Sequence, residues 1–263
     1  MSLLEQKKAQ ATAEQSIYKE QEDVKIKNLH QKETVLKQTN INDVITQLKK
    51  RVRLFKNNYS FMPTEDQIVC DKIFQITDPY FNQLNQGQML SESDYNSLRE
   101  KNANLLDSLN IKGTTAEWGT QENEEISFGL LKNEVEWMWG KSIAFYLAFG
   151  PPALKKTCII SPIVWGHIRE DIPKWRDWAL QCYDEKLETE KEISYGPIKI
   201  GLKSLKNGIN QYFFINYQPE GLNTKYIIFV NPLHFELLMR QIYNAGKLLK
   251  KEEELKKNAE KLK

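Results

Sequence analysis

At about residue 192 the spacing of apolar residues changes from the helical period to an alternation, and this switch restricts the chain to a mixed α+β fold. Ile198, Ile200 and Leu202 alternate with Lys199, Gly201 and Lys203. Asn207-Gly208 predicts a two-residue hairpin turn, because both residue types tolerate positive φ. Ile209 to Tyr217 is rich in the aromatic and branched side chains that suit a pleated surface. Pro219-Glu220-Gly221 turns the chain again, and Tyr226 to Val230 predicts a third strand, central or covered on both faces. Pro232 then opens a C-terminal helix with Phe235, Leu238, Ile242, Ala245 and Leu249 on one side. The expectation for this third of the chain is a three-stranded antiparallel β-meander followed by a helix.

Most of the chain before the switch reads as helix. Asn40 is a candidate N-cap, and Ile41, Ile45, Leu48, Val52 and Phe55 then recur at spacings of four and three, a narrow seam suited to one other helix. Thr64 with Gln67 predicts a capping box, Asp78-Pro79 a fresh helix start, and Ser91 a cap for a helix that ends by Gly113. Thr120 predicts the start of a long helix with Leu131, Val135, Met138, Ser142, Phe145 and Phe149 on one side. Gly150-Pro151-Pro152 would stop it, since proline lacks the required donor. Asp171-Ile172-Pro173 predicts one more helix, with Glu170 and Asp171 in its acidic first turn. The organisation expected is a charged helical arm over 1–60, a predominantly helical body over 61–190, and the meander with its helix over 191–263. Long charged helices would thus stand at both termini.

Charge and cysteine content narrow the class. The 37 basic and 35 acidic side chains leave a net charge of +2, so no global field draws the chain to nucleic acid or an anionic membrane. Cys70, Cys158 and Cys182 are scattered and form no CxxC pair, which speaks against a disulfide framework or a zinc ribbon and for a reducing, cytoplasmic setting. The most apolar stretch, Trp137 to Trp165, is broken by Lys141, by the Gly-Pro-Pro and by Lys155-Lys156. No piece reaches the ~18 residues of a spanning helix. No transmembrane segment is expected.

Few residues point to chemistry. The histidines are His30, His167 and His234, and no nucleophile elbow, Walker A loop or dinucleotide-binding glycine pattern occurs. On a helix His167 and Glu170 would share a face, as metal ligands three apart do, and His234 with Glu236 could complete the set. Against this, Glu170 suits an ordinary first helical turn, and metal sites need three or four convergent ligands. Lys49, Lys50, Arg51, Arg53 and Lys56 form the densest basic run, a possible phosphate-binding strip that also reads as the solvated face of the 41–55 helix. All six tryptophans lie between residues 118 and 178, a stacking platform for bases or, more simply, the core of the middle helices.

The terminal arms are least suited to a self-contained enzyme. Residues 1–38 carry apolar side chains in no single stripe. At the other end Leu248, Leu255 and Leu262 repeat every seven residues, but Lys251 and Asn258 occupy the companion positions, so the coiled-coil signal is weak. Such helices gain stability against a neighbour. The expectation is a non-enzymatic structural or adaptor subunit of a larger assembly, such as a virion, a secretion machine or an organellar complex. Its partners would be other subunits or further copies, met through the Ile41–Phe55 seam, with no cofactor and no small-molecule substrate. A nucleic-acid-associated protein using the 49–56 strip is the alternative, and a metal-dependent enzyme centred on His167 comes third.

Overall fold

A computed structural model describes residues 41–117, 120–131, 135–138, 140–149, 156–218 and 226–261. The chain divides into two compact units, residues 1–48 and 49–263. Of the first, the described part is helical, with Ile45 and Leu48 buried. The N-terminal arm, the Asn40 cap and His30 lie outside the described residues, as do Trp118, Trp139, the Gly150–Lys155 stretch and the Pro219-Glu220-Gly221 turn.

Helix α1 covers 41–58 and leads into a 3₁₀ turn, Tyr59–Phe61. Helices α2 (Thr64–Asn85) and α3 (Glu92–Asp107) follow. Six strands come next: β1 (Ile111–Glu117), β2 (Thr120–Leu130), β3 (Val135–Trp137), β4 (Gly140–Ser142), β5 (Phe145–Phe149) and β6 (Lys156–Ile160). Then come α4 (Pro162–Asp184), β7 (Thr189–Tyr195), β8 (Ile198–Leu205), β9 (Asn210–Tyr217), β10 (Tyr226–Val230) and α5 (Pro232–Lys261). Eight strands form one antiparallel order, β6-β5-β2-β1-β10-β9-β8-β7, while β3 and β4 make a separate hairpin. The large sheet consists of two four-stranded halves, joined between β1 and β10 by the short ladder Thr114↔Phe229, Thr115↔Ile228.

This architecture overturns the predominantly helical body with its three-stranded meander. The last strands are four, since β7 pairs with β8, and they continue into a second half built from residues 111–160. The long helix expected after Thr120 is instead β2 to β5. A spacing of four residues, such as Phe145 to Phe149, places two side chains on one face of a helix and on one face of a strand alike. The alternation decides: Ile126 and Phe128 on β2, Leu147 on β5, and Cys158 and Ile160 on β6 are all buried. Gly129 and Gly140 also weigh against helix. A Cβ on Gly129 would lie 2.8 Å from the Tyr146 ring, and Gly140 has φ 118°.

Three start signals misled as well. Helix α2 runs through Pro79 and α4 through Pro173, so neither Asp-Pro nor Asp-Ile-Pro begins a helix. Packing on both sides of each proline outweighs the lost hydrogen bond; Thr77, fully buried, returns its hydroxyl to the Ile73 carbonyl at 2.9 Å. Thr64 makes no capping box, and Gln67 instead donates to the carbonyls of Tyr59 and Met62. Ser161 caps α4, accepting from Val164 N–H, and Ser91 caps α3 as its sequence implies. The hairpin at Asn207-Gly208 forms with four linking residues rather than two, because the pairing stops at Leu205↔Asn210 and Lys206, Asn207 and Gly208 all take positive φ.

Helices α4 and α5 supply the core opposite the sheet. The buried residues of α4, including Trp165, Ile168, Ile172, Trp175 and Ala179, recur at three and four. Trp165 stacks on Phe145 (centroids 4.8 Å apart, 14° between planes), and its indole N–H donates to the Ile242 carbonyl at 3.1 Å. Gly246 admits this ring, since a Cβ there would stand 2.5 Å from Trp165 Cζ2. On the sheet's other half Phe213 stacks on Phe235 at 3.7 Å and 6°. Both phenylalanines are wholly buried. Among the described residues no helix is long and apolar enough to cross a membrane.

Candidate functional site

The densest polar chemistry gathers where α5 begins. Asn231 caps the helix: its carbonyl accepts from Phe235 N–H at 3.0 Å and its side-chain oxygen from His234 N–H at 3.2 Å. The Asn231 amide donates to Asp66 Oδ2 at 2.6 Å, which reaches it from the first turn of α2. Asp66 Oδ1 meets His234 Nε2 at 3.0 Å, while the Lys112 backbone N–H donates to His234 Nδ1 at 3.1 Å. An acceptor at Nδ1 fixes the proton on Nε2, facing the carboxylate. Burial pushes the Asp66 carboxyl up, but hydrogen bonds from His234 and Asn231 and the Lys112 charge outweigh it and hold the group below its usual range.

One turn further on, Glu236 is buried between two arginines. Arg176 on α4 grips it with Nε on Oε1 and Nη2 on Oε2, the latter at 2.7 Å, and Arg51 on α1 adds Nε on Oε2 at 2.9 Å. Arg176 is itself 5% exposed. Burial alone would raise the Glu236 carboxyl; the charges of Arg176 and Arg51 pull it down to about 2. A carboxylate with a depressed folded-state pKa contributes stability above its ordinary value of 4.5, and that contribution fades as pH falls toward 2. The expected loss is about 2 kcal/mol by pH 3, and about 3 kcal/mol in full near pH 2. Urea midpoints compared at pH 7 and pH 3 should show it, and a Glu236→Gln variant, weaker at pH 7, should show a flatter pH dependence.

These clusters relocate the residues singled out in the sequence. His167 and Glu170 are exposed in the middle of α4 rather than at a helix start, whereas His234 is buried with both ring nitrogens engaged. Among the described residues no three His, Cys, Asp or Glu side chains converge as metal ligands. Asp171, expected in a first helical turn, lies within α4 and accepts from Tyr195 Oη at 2.8 Å and from Lys174 at 2.5 Å.

The basic run pairs with the chain's own acids, at the surface except for Arg51. Lys50 pairs with Asp177 at 2.7 Å, Arg51 with Glu236, Arg53 with Asp184, and Lys56 with Asp78 at 2.9 Å. Lys49 sits 5.8 Å from the Phe81 ring centre. Of the seam residues, Ile45, Leu48, Val52 and Phe55 are buried and Ile41 is half-exposed. Trp165 and Trp175 are core, and Trp178 is half-buried with Lys191 Nζ 4.8 Å from its ring.

The remaining nucleophiles are quiet. Burial pushes the thiols of Cys70 and Cys158 up to about 12 and raises Cys182, so all three stay protonated near neutrality. A groove between α2 and α3 is lined by Lys72, Gln75, Ile76, Tyr80, Lys101 and Leu105. Sequence reading missed Arg176, Asp66 and Asn231. The only local signal was Asn231-Pro232 as a helix start with His234 and Glu236 inside its first turns. Comparison with models of known protein families gives no match, and comparison with curated proteins gives none either.

Proposed function

We propose that this protein is a non-enzymatic structural or adaptor subunit of a larger macromolecular assembly, for example a virion, a secretion machine or an organellar complex. The observation that carries this reading is the second half of α5. The helix has 30 residues, about 45 Å of length. It buries Leu233, Phe235, Leu237, Leu238, Met239, Ile242 and Ala245, and from Lys247 onward its described side chains are almost all exposed, Leu248 among them at 52%. A charged helix with so little to bury gains its stability from a neighbour. The pairing of Lys50, Arg51, Arg53 and Lys56 with carboxylates of the chain itself favours this reading over phosphate binding by that strip. Three free cysteines fit a cytoplasmic setting or a particle assembled there.

Affinity purification at native expression, with and without nuclease, followed by mass spectrometry tests the proposal. A stoichiometric, nuclease-resistant protein partner is expected, released when residues 1–38 or 248–263 are deleted while the body melts as before. Recovery of the protein alone, or of partners that leave with nuclease, overturns it.

A further inference from the structure

The two edges of the large sheet are finished differently. At one edge β7 carries Glu190, Lys191 and Glu192, with Glu192 paired to Lys199 at 2.7 Å and Glu190 to Lys203 at 3.2 Å. Charges of this kind discourage another strand from adding. At the other edge β6 reads Lys156-Thr-Cys-Ile-Ile160, and among the described residues it pairs on one side only, with β5. Its single charge stands at its first position. Ile159 is 48% exposed on the outer face, and the chain passes directly into α4, where Ile163 is 60% exposed. Every second residue of such a strand turns its backbone N–H and C=O outward.

We propose that β6 pairs antiparallel with β6 of a second copy about a two-fold axis, joining two sheets edge to edge. The pairing rests on the subunit reading above and makes one of the partners the protein itself. A two-fold centred on Cys158 sets residue 157 of each copy opposite residue 159 of the other. It also sends the two Lys156 charges to opposite ends of the ladder. The same operation applied to β7 would set Glu190, Lys191 and Glu192 against themselves. Only self-pairing disposes of both β6 edges at once: the joined sheet then ends on each side in β7 with its three charges, and the assembly closes.

Sedimentation equilibrium of the full chain tests this. A dimer is expected, weakened about tenfold or more by Ile159→Lys, which alters an exposed side chain at the centre of the contact. Should that variant lose its fold, oxidation of a Thr157→Cys/Ile159→Cys chain decides: a covalent dimer is expected, and none from the same pair of thiols at Glu190 and Glu192. A monomer at every concentration, a dimer indifferent to Ile159→Lys, or equal cross-linking at both edges overturns the pairing. None of these results touches the subunit reading, which partner recovery decides separately.

Discussion

Glu236→Ala should cost the folded state about 3–5 kcal/mol, because it removes the carboxylate that the buried Arg176 grips with two nitrogens. Arg51 is less exposed to this loss, since its side chain is 24% accessible and can turn to water, whereas that of Arg176 is 7% accessible. The double replacement Arg176→Met/Glu236→Leu separates the ion pair's net worth from the penalty of removing one partner alone. It should recover most of the stability, as apolar substitutes for a buried pair often do. Urea unfolding of Arg176→Met, Glu236→Leu and the double variant measures both quantities. A double variant as unstable as the sum of the single ones would mean the two charges act independently.

Phe235→Ala is the second large effect, again about 3–5 kcal/mol. Phe235 has no exposed surface and lies flat on Phe213, so truncation removes both apolar burial and ring contact. The neighbours of the vacated space are a strand and the first turns of α5, which are tied by the Asn231 cap and the His234 bridge and cannot close in. Phe235→Leu, which keeps most of the volume, should cost less than half as much. Thermal unfolding of the pair is the measurement, and equal losses would show that the site collapses freely.

Both effects arise at a place that local sequence marked only faintly. The Pro232 start of α5 was legible because proline at a first helical position is a local signal, although the Asn231 cap was missed. Asp66 was not, because it meets His234 across 168 positions and nothing in its own helix announces it. The same limit explains the larger miss. Phe145 and Phe149 fit helix and strand equally, so the 111–160 region depended on partners supplied by tertiary pairing. The Asp-Pro pairs are the reverse case, in which a correct local rule lost to packing along α2 and α4. The basic run was legible as a helix face, but its carboxylate partners on α2, α4 and α5 lie far along the chain.

The narrow ladder between β1 and β10 has a kinetic consequence. Each half of the sheet is knit almost wholly from neighbouring strands, through β1 to β6 on one side and β7 to β10 on the other. Such local pairings close short loops and can form early. Thr114 with Phe229 and Thr115 with Ile228 are instead drawn from opposite ends of the body, and α5 bridges both halves through its contacts with β1, β2 and β9. The joint is therefore the step that must wait for the whole chain. During synthesis the first half of the sheet emerges with its β1 edge open, until β10 and α5 leave the ribosome to cover it.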